Sequence, residues 1–119
     1  MSQFISLTEA HNMTTLYRQY RETILEPEYQ SQDILAISET FDKADVETVL
    51  GHSGCEGLRV YYGMDENFRV HAILVGVNGD NEDMLPPANP PSPAPEDEHI
   101  LERGLRCPDM CGPESPLNS

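Results

Sequence analysis

Apolar side chains recur with helical spacing early in the chain, at Ala10, Met13, Leu16, Tyr17, Tyr20 and Ile24. That spacing makes one stripe on a helix. Ser6 and Glu9 stand just before it as an S-x-x-E capping box, which satisfies helix-start amides reciprocally. Pro27 cannot continue a helix and predicts its end nearby. Arg18 and Arg21 lie three residues apart and share the other face. The run Ile34 to Ser38 predicts a short buried strand. Thr40 or Asp42 then caps a second helix bearing Val46, Val49 and Leu50, ended by Gly51 and Gly54.

The clearest pattern is a hairpin. Leu58, Val60 and Tyr62 alternate with Arg59 and Tyr61; after residues 63–67, Phe68, Val70, Ala72 and Leu74 alternate with Arg69 and His71. Pairing Tyr62 with Phe68, Val60 with Val70 and Leu58 with Ala72 puts every apolar member on one face, the arrangement that normally fixes register. The loop of residues 63–67 has an ordinary hairpin length. Beyond Ala72 the second strand is apolar on both faces, through Ile73, Leu74, Val75 and Val77, which suits an interior strand. The order strand, helix, strand, strand predicts a small α+β fold. A three-stranded sheet has its third strand in the middle, with an N-terminal helix and an extended Pro-rich C-terminal tail.

A different regime begins at Asn78-Gly79-Asp80-Asn81, which is turn chemistry. Leu85 to Pro95 holds six prolines, and Glu96-Asp97-Glu98 adds acid. Such a stretch favours extended polyproline conformations. Residues 1–80 therefore read as the folded α+β domain, 81–98 as an acidic Pro-rich linker, and 99–119 as a docking tail containing Cys107-Pro108-Asp109-Met110-Cys111. Ile100, Leu101 and Leu105 are the tail's apolar contacts with the body.

Charge narrows the function classes. Twenty-one acids against seven Lys plus Arg give a formal net charge of −14. That argues against nonspecific nucleic-acid binding, which needs cations on phosphates, and against an anionic membrane surface. No apolar run approaches the roughly 20 residues that span a bilayer, and Met1 to Ile5 lack a secretory pattern. The expected location is the cytoplasm, where three cysteines do not make a disulfide framework. A body of about 80 residues buries a modest core, so a partner chain or cross-link would help it, and a homo-oligomer is compatible with the sequence.

Three groups of residues carry candidate chemistry. Zinc takes four Cys, His or carboxylate ligands, and His52, Cys55, Cys107 and Cys111 offer two closely spaced pairs, with His99 as a spare. The plainer reading has Cys55 as a small buried hydrophobe and the tail cysteines as exposed thiols. Cys107 and Cys111 are also a candidate redox pair, although their spacing is one residue longer than C-x-x-C. Finally, the hairpin register places Arg59, Tyr61, Arg69 and His71 on one face, where a carboxylate or phosphate ligand would find charge-assisted bonds. In so acidic a chain, neutralisation of that face by Asp and Glu competes with ligand binding. No phosphate loop, G-x-G-x-x-G or H-E-x-x-H is present, and no nucleophile signature points to an enzyme.

The segment Gly54 to Glu66, with its Gly-Leu-Arg-Val-Tyr-Tyr-Gly-Met-Asp-Glu run, resembles part of a group of small uncharacterised bacterial proteins of the Bacteroidetes type. The resemblance extends to residues 13–18, 37–41 and 70–78 and reappears at Cys107-Pro108. It spans most of the chain except the Pro-rich linker. In that pattern Pro often stands where Asp109 is here, and His52 is not shared, so the resemblance weakens the four-ligand zinc site, which needs His52 or His99. It implies no activity. The sequence thus leads to a cytoplasmic, non-catalytic binding or interaction module whose partner is a protein or small anionic ligand. No resident cofactor is implied. A zinc-stapled structural or regulatory protein, and a thiol-redox protein or enzyme, are the alternatives.

Overall fold

The computed structural model describes residues 2–86 and 99–118. It is an α+β fold with two antiparallel sheets. Helix α1 spans Leu7–Tyr20, strand β1 Ser38–Thr40, helix α2 Lys43–Leu50, strand β2 Cys55–Met64 and strand β3 Val70–Asn78; β4 (Ile100–Leu101) and β5 (Leu105–Cys107) follow. A short 3-10 turn at Pro27–Tyr29 lies between α1 and β1. The Pro-rich and acidic residues 87–98 lie outside the described residues.

The capping box works as its residues suggest: the Glu9 amide donates to Ser6 Oγ at 3.0 Å. Helix α2 begins at Asp42 and closes at Gly51, whose amide donates to the Glu47 carbonyl. Asn78 folds the next turn, its side-chain oxygen accepting from the amides of Asp80 and Glu82 at 2.9 and 3.0 Å.

The three-stranded sheet runs β2-β3-β4. The central place of Val70–Asn78 agrees with its apolar residues on both faces. Its outer neighbour, however, comes from the tail: Leu74 pairs with Leu101 and Val75 with Ile100. Asp83 forms a bridge with Val77 on the same edge. The Ile34 to Ser38 run therefore does not take the place beside β3. It packs as irregular chain, with Ile34 buried and its carbonyl accepting from the Val70 amide at 2.7 Å. The strand begins only at Ser38 and belongs to the second sheet, where Ser38 pairs with Cys107 and Thr40 with Leu105.

The hairpin keeps the expected face but not the expected partners. Tyr62 lies opposite Ala72, Val60 opposite Leu74 and Met64 opposite Val70, a slip of four residues from the pairing that the alternation suggests. An even slip preserves which side each residue faces. The Asp65 carboxylate decides the loop: it accepts from the amides of Asn67 and Arg69 at 2.8 and 3.1 Å. Phe68 takes a left-handed conformation, φ 65°. The turn thus sits at residues 65–69, two places later than 63–67, and Gly63 falls inside the strand. A Cβ there would come within 2.7 Å of Ile73 Cδ1, so glycine lets Ile73 lie across β2.

Burial is thin. Among the described residues the buried apolar side chains are Ile34, Val49, Leu74, Val75 and Cys107. Val49 lies on α2, Leu74 and Val75 on opposite faces of β3 where it pairs with β4, and Ile34 and Cys107 where β5 meets the loop before β1. Arg106 ties these parts together. Its Nε donates to the Val70 carbonyl at 3.1 Å, and its Nη2 to the carbonyls of Asp33 and Ile34 at 2.9 and 3.2 Å.

Replacing Arg106 with Leu takes the donor from the Asp33 and Val70 carbonyls in a partly buried place, while Ile34 keeps the Val70 amide. Hydrogen bonds to charged groups contribute about 1.5–3 kcal/mol each, but not additively. The expected loss in urea unfolding is about 3 kcal/mol, and a change under about 1 kcal/mol would show that Arg106 is dispensable.

Candidate functional site

The polar face of the hairpin forms, but its charges are already engaged. Arg59, Tyr61 and His71 occupy one side of the sheet, as their alternation requires. Arg59 Nη1 donates to Asp83 Oδ1 at 2.6 Å, and its Nη2 reaches Asn81 Oδ1 at 2.5 Å. The Tyr61 hydroxyl donates to the other Asp83 oxygen. His71 lies between two carboxylates, with Nε2 2.7 Å from Asp65 and Nδ1 3.3 Å from Glu102. Arg69 leaves the sheet and donates from Nε to the Gln32 carbonyl at 3.3 Å. The sequence thus places three of the four candidates together, and acids from the turns at 65 and 83 and from the tail fill the positions that an anionic ligand would need.

These pairings perturb the acids. The Tyr61 hydroxyl, and after it the Arg59 guanidinium, hold the Asp83 carboxyl below the usual carboxylate range. The His71 imidazole, helped by the Arg69 and Asn67 amides, does the same to Asp65.

The cysteine candidates separate. Cys107 and Cys111 form a disulfide, with Cα atoms 4.6 Å apart; Cys107 is buried and Cys111 exposed. Cys55 is a free thiol, its sulfur 3.3 Å from the Gly57 carbonyl and close under Gly76. His52 stacks on His99, ring centres 4.0 Å apart and planes 8° from parallel. A bonded sulfur pair offers no thiolates, and face-to-face imidazoles do not converge their nitrogens on one point. Among the described residues no group of three or more His, Cys, Asp or Glu is gathered to hold a metal.

The surface that sequence reasoning missed is the stripe on α1. A helical apolar stripe normally faces a core, yet here Met13 is 65 % exposed, Leu16 59 % and Ile24 69 %. Polar groups hold the helix instead. The Tyr17 hydroxyl donates to the Ala36 carbonyl at 2.5 Å and Arg21 to the Leu35 carbonyl at 2.6 Å. On the tail side, His11 Nδ1 lies 2.6 Å from the Pro116 carbonyl, and Arg18 donates to that of Leu117. The stripe is left lining a shallow groove of about 560 Å³ formed by Met13, Leu16, Tyr17, Tyr20, Arg21 and Ile24. Tyr17 also lines a second hollow of about 280 Å³, shared with Tyr62 and Val70 of the hairpin. The apolar surface therefore continues from α1 onto the sheet. Nothing in the spacing distinguishes this stripe from a buried one. The only hint is that two of its members are tyrosines, which tolerate one wet end.

No family model, curated protein or solved structure matches the chain. Among the described residues no helix is long and apolar enough to cross a membrane.

The depressed Asp83 and Asp65 carboxyls contribute stability that is present above the unfolded value near 4 and is lost as pH falls through their folded values. The urea midpoint should drop as pH is lowered from 5 to 3. In Asp83→Asn the protein should be less stable at pH 6 and its midpoint should change less with acid. An unaltered pH profile in that variant would show that the Arg59–Asp83–Tyr61 group does not titrate with folding.

Proposed function

We propose that this protein is a non-catalytic interaction module that docks a partner protein on the apolar stripe of α1. The observation that carries this reading is the outward direction of Met13, Leu16 and Tyr20 on a helix that polar bonds already fix in place, continued by exposed Ile24 in the turn that follows it. Contiguous exposed apolar surface of this kind marks interaction sites. Fixing the helix beforehand also lowers the ordering cost of binding. With a net charge of −14, the fitting partner presents an apolar groove or helix rimmed by Lys and Arg, since such a rim speeds and orients encounter. The anionic-ligand reading of Arg59, Tyr61, Arg69 and His71 has less support, because carboxylates and a carbonyl already engage those groups. The location that goes with this module is the cytoplasm.

A second reading is favoured by the Cys107–Cys111 bond. Disulfides in reducing compartments are typically transient and redox-active, so the pair would cycle between dithiol and disulfide, with exposed Cys111 as the sulfur attacked. Equilibration with glutathione buffers separates the cases. Exchange near the glutathione potential supports a redox role; a pair reduced only below about −300 mV is structural.

The docking proposal is tested with Leu16→Asp combined with Ile24→Asp. Both positions are exposed, so the urea midpoint should correspond to a change of about 0.5 kcal/mol or less. Proteins captured by the wild type from native lysate and identified by mass spectrometry should include basic ones that the variant loses and Arg59→Ala retains. Identical captured sets would refute the α1 surface.

A further inference from the structure

Strand β2 is an edge. One side pairs with β3, and among the described residues no backbone group of residues 58–63 has a backbone partner on the other side. Proteins usually blunt a long bare edge with charges, prolines, bulges or a covering segment. Here the one irregularity in pairing falls at the end, between Cys55 and Gly57. The polar side chains are drawn away. Val77 pairs with Gly57 on one side and Asp83 on the other, so Arg59 and Tyr61 must cross β3 to reach Asp83. The opposite face shows Leu58, Val60, Tyr62 and Met64, all exposed.

We propose that a second copy of this chain occupies this edge. Its β2 pairs antiparallel with β2 about a two-fold axis through Val60, joining two three-stranded sheets into one of six strands. An isologous contact of this type brings the same patch of each copy together. An axis normal to the sheet keeps the exposed apolar faces on one side. With Val60 at the axis, Leu58 faces Tyr62 of the other copy, an aliphatic–aromatic cross-strand pair, and Gly57 faces Gly63.

Charge selects this edge over other surfaces. A chain carrying 21 acids and seven Lys plus Arg repels itself over most of its area. Strand β2 carries one acid, Glu56, and one base, Arg59. In this register Glu56 faces Met64 and Arg59 faces Tyr61, so no carboxylate opposes another across the axis. The few buried apolar side chains of the single chain add a reason for a second copy, since association supplies burial that a small core lacks.

Light scattering on the full chain at about 100 μM, above the dissociation constant of a modest interface, should give twice the 13.3 kDa of one chain. Val60→Lys sets two ammonium groups side by side at the axis and should weaken association at least about tenfold. Val60→Cys should give disulfide-linked dimers on mild oxidation, because residue 60 meets itself. Tyr62→Cys should not, because it meets Leu58. Leu16→Asp with Ile24→Asp should leave the dimer intact, which separates this contact from the α1 surface. A wild-type monomer at that concentration overturns the proposal. So does a dimer indifferent to Val60→Lys, one lost with the α1 variant, or linkage through Tyr62→Cys equal to that through Val60→Cys.

Discussion

The guanidinium of Arg106 takes up backbone carbonyls from two separate stretches, Asp33 and Ile34 on one side and Val70 on the other. Leaving such carbonyls without a donor where water is scarce is costly, although Ile34 also accepts from the Val70 amide. Once Arg106 fills them, β5 is held against the loop before β1, and that loop is held against the start of β3. Both sheets are thereby joined through one side chain. Cys107, the next residue, is buried in the same seam.

Arginine serves the backbone elsewhere in this chain as well. Arg18, Arg21 and Arg69 each donate to a carbonyl, of Leu117, Leu35 and Gln32 respectively, while Arg59 is taken by Asp83. In a strongly acidic protein five of the seven Lys and Arg side chains, these four and Arg106, are thus engaged in assembling it. The charged groups on the polar face of the hairpin accordingly already have partners, and exposed apolar surface lies on α1 on one side and on the face of β2 on another.

The elements themselves were largely readable. Ser6 and Glu9 announced α1, Gly51 closed α2, alternation marked both hairpin strands, and the apolar residues of β3 foretold its central place. What escaped was direction and partnership. Periodicity says that α1 has an apolar side, not which way the side faces, and the polar tethers from Tyr17, Arg21, His11 and Arg18 that turn it outward have no periodic signature. Alternation fixed the parity of the hairpin but left its register to the Asp65 carboxylate. Strands as short as Ile100–Leu101 and Leu105–Cys107 carry no pattern of their own; only their sheet partners define them. The spacing of Cys107 and Cys111 fitted both a metal and a disulfide, and only their proximity in space distinguishes the two.

The pairing of Ser38 with Cys107 has a consequence for how the chain comes together. Contacts between residues so far apart are entropically expensive to close and slow folding. The β2–β3 hairpin and the Val77–Asp83 bridge are local and can form early, whereas the second sheet waits until residue 107 has been made. During synthesis from the N-terminal side, the Ile34 loop and the Leu74–Val75 edge of β3 therefore spend an interval without the partners that later cover them. The molecule is most open to mispairing in that interval, and the acid surplus of the chain, repelling other copies, is then its main protection.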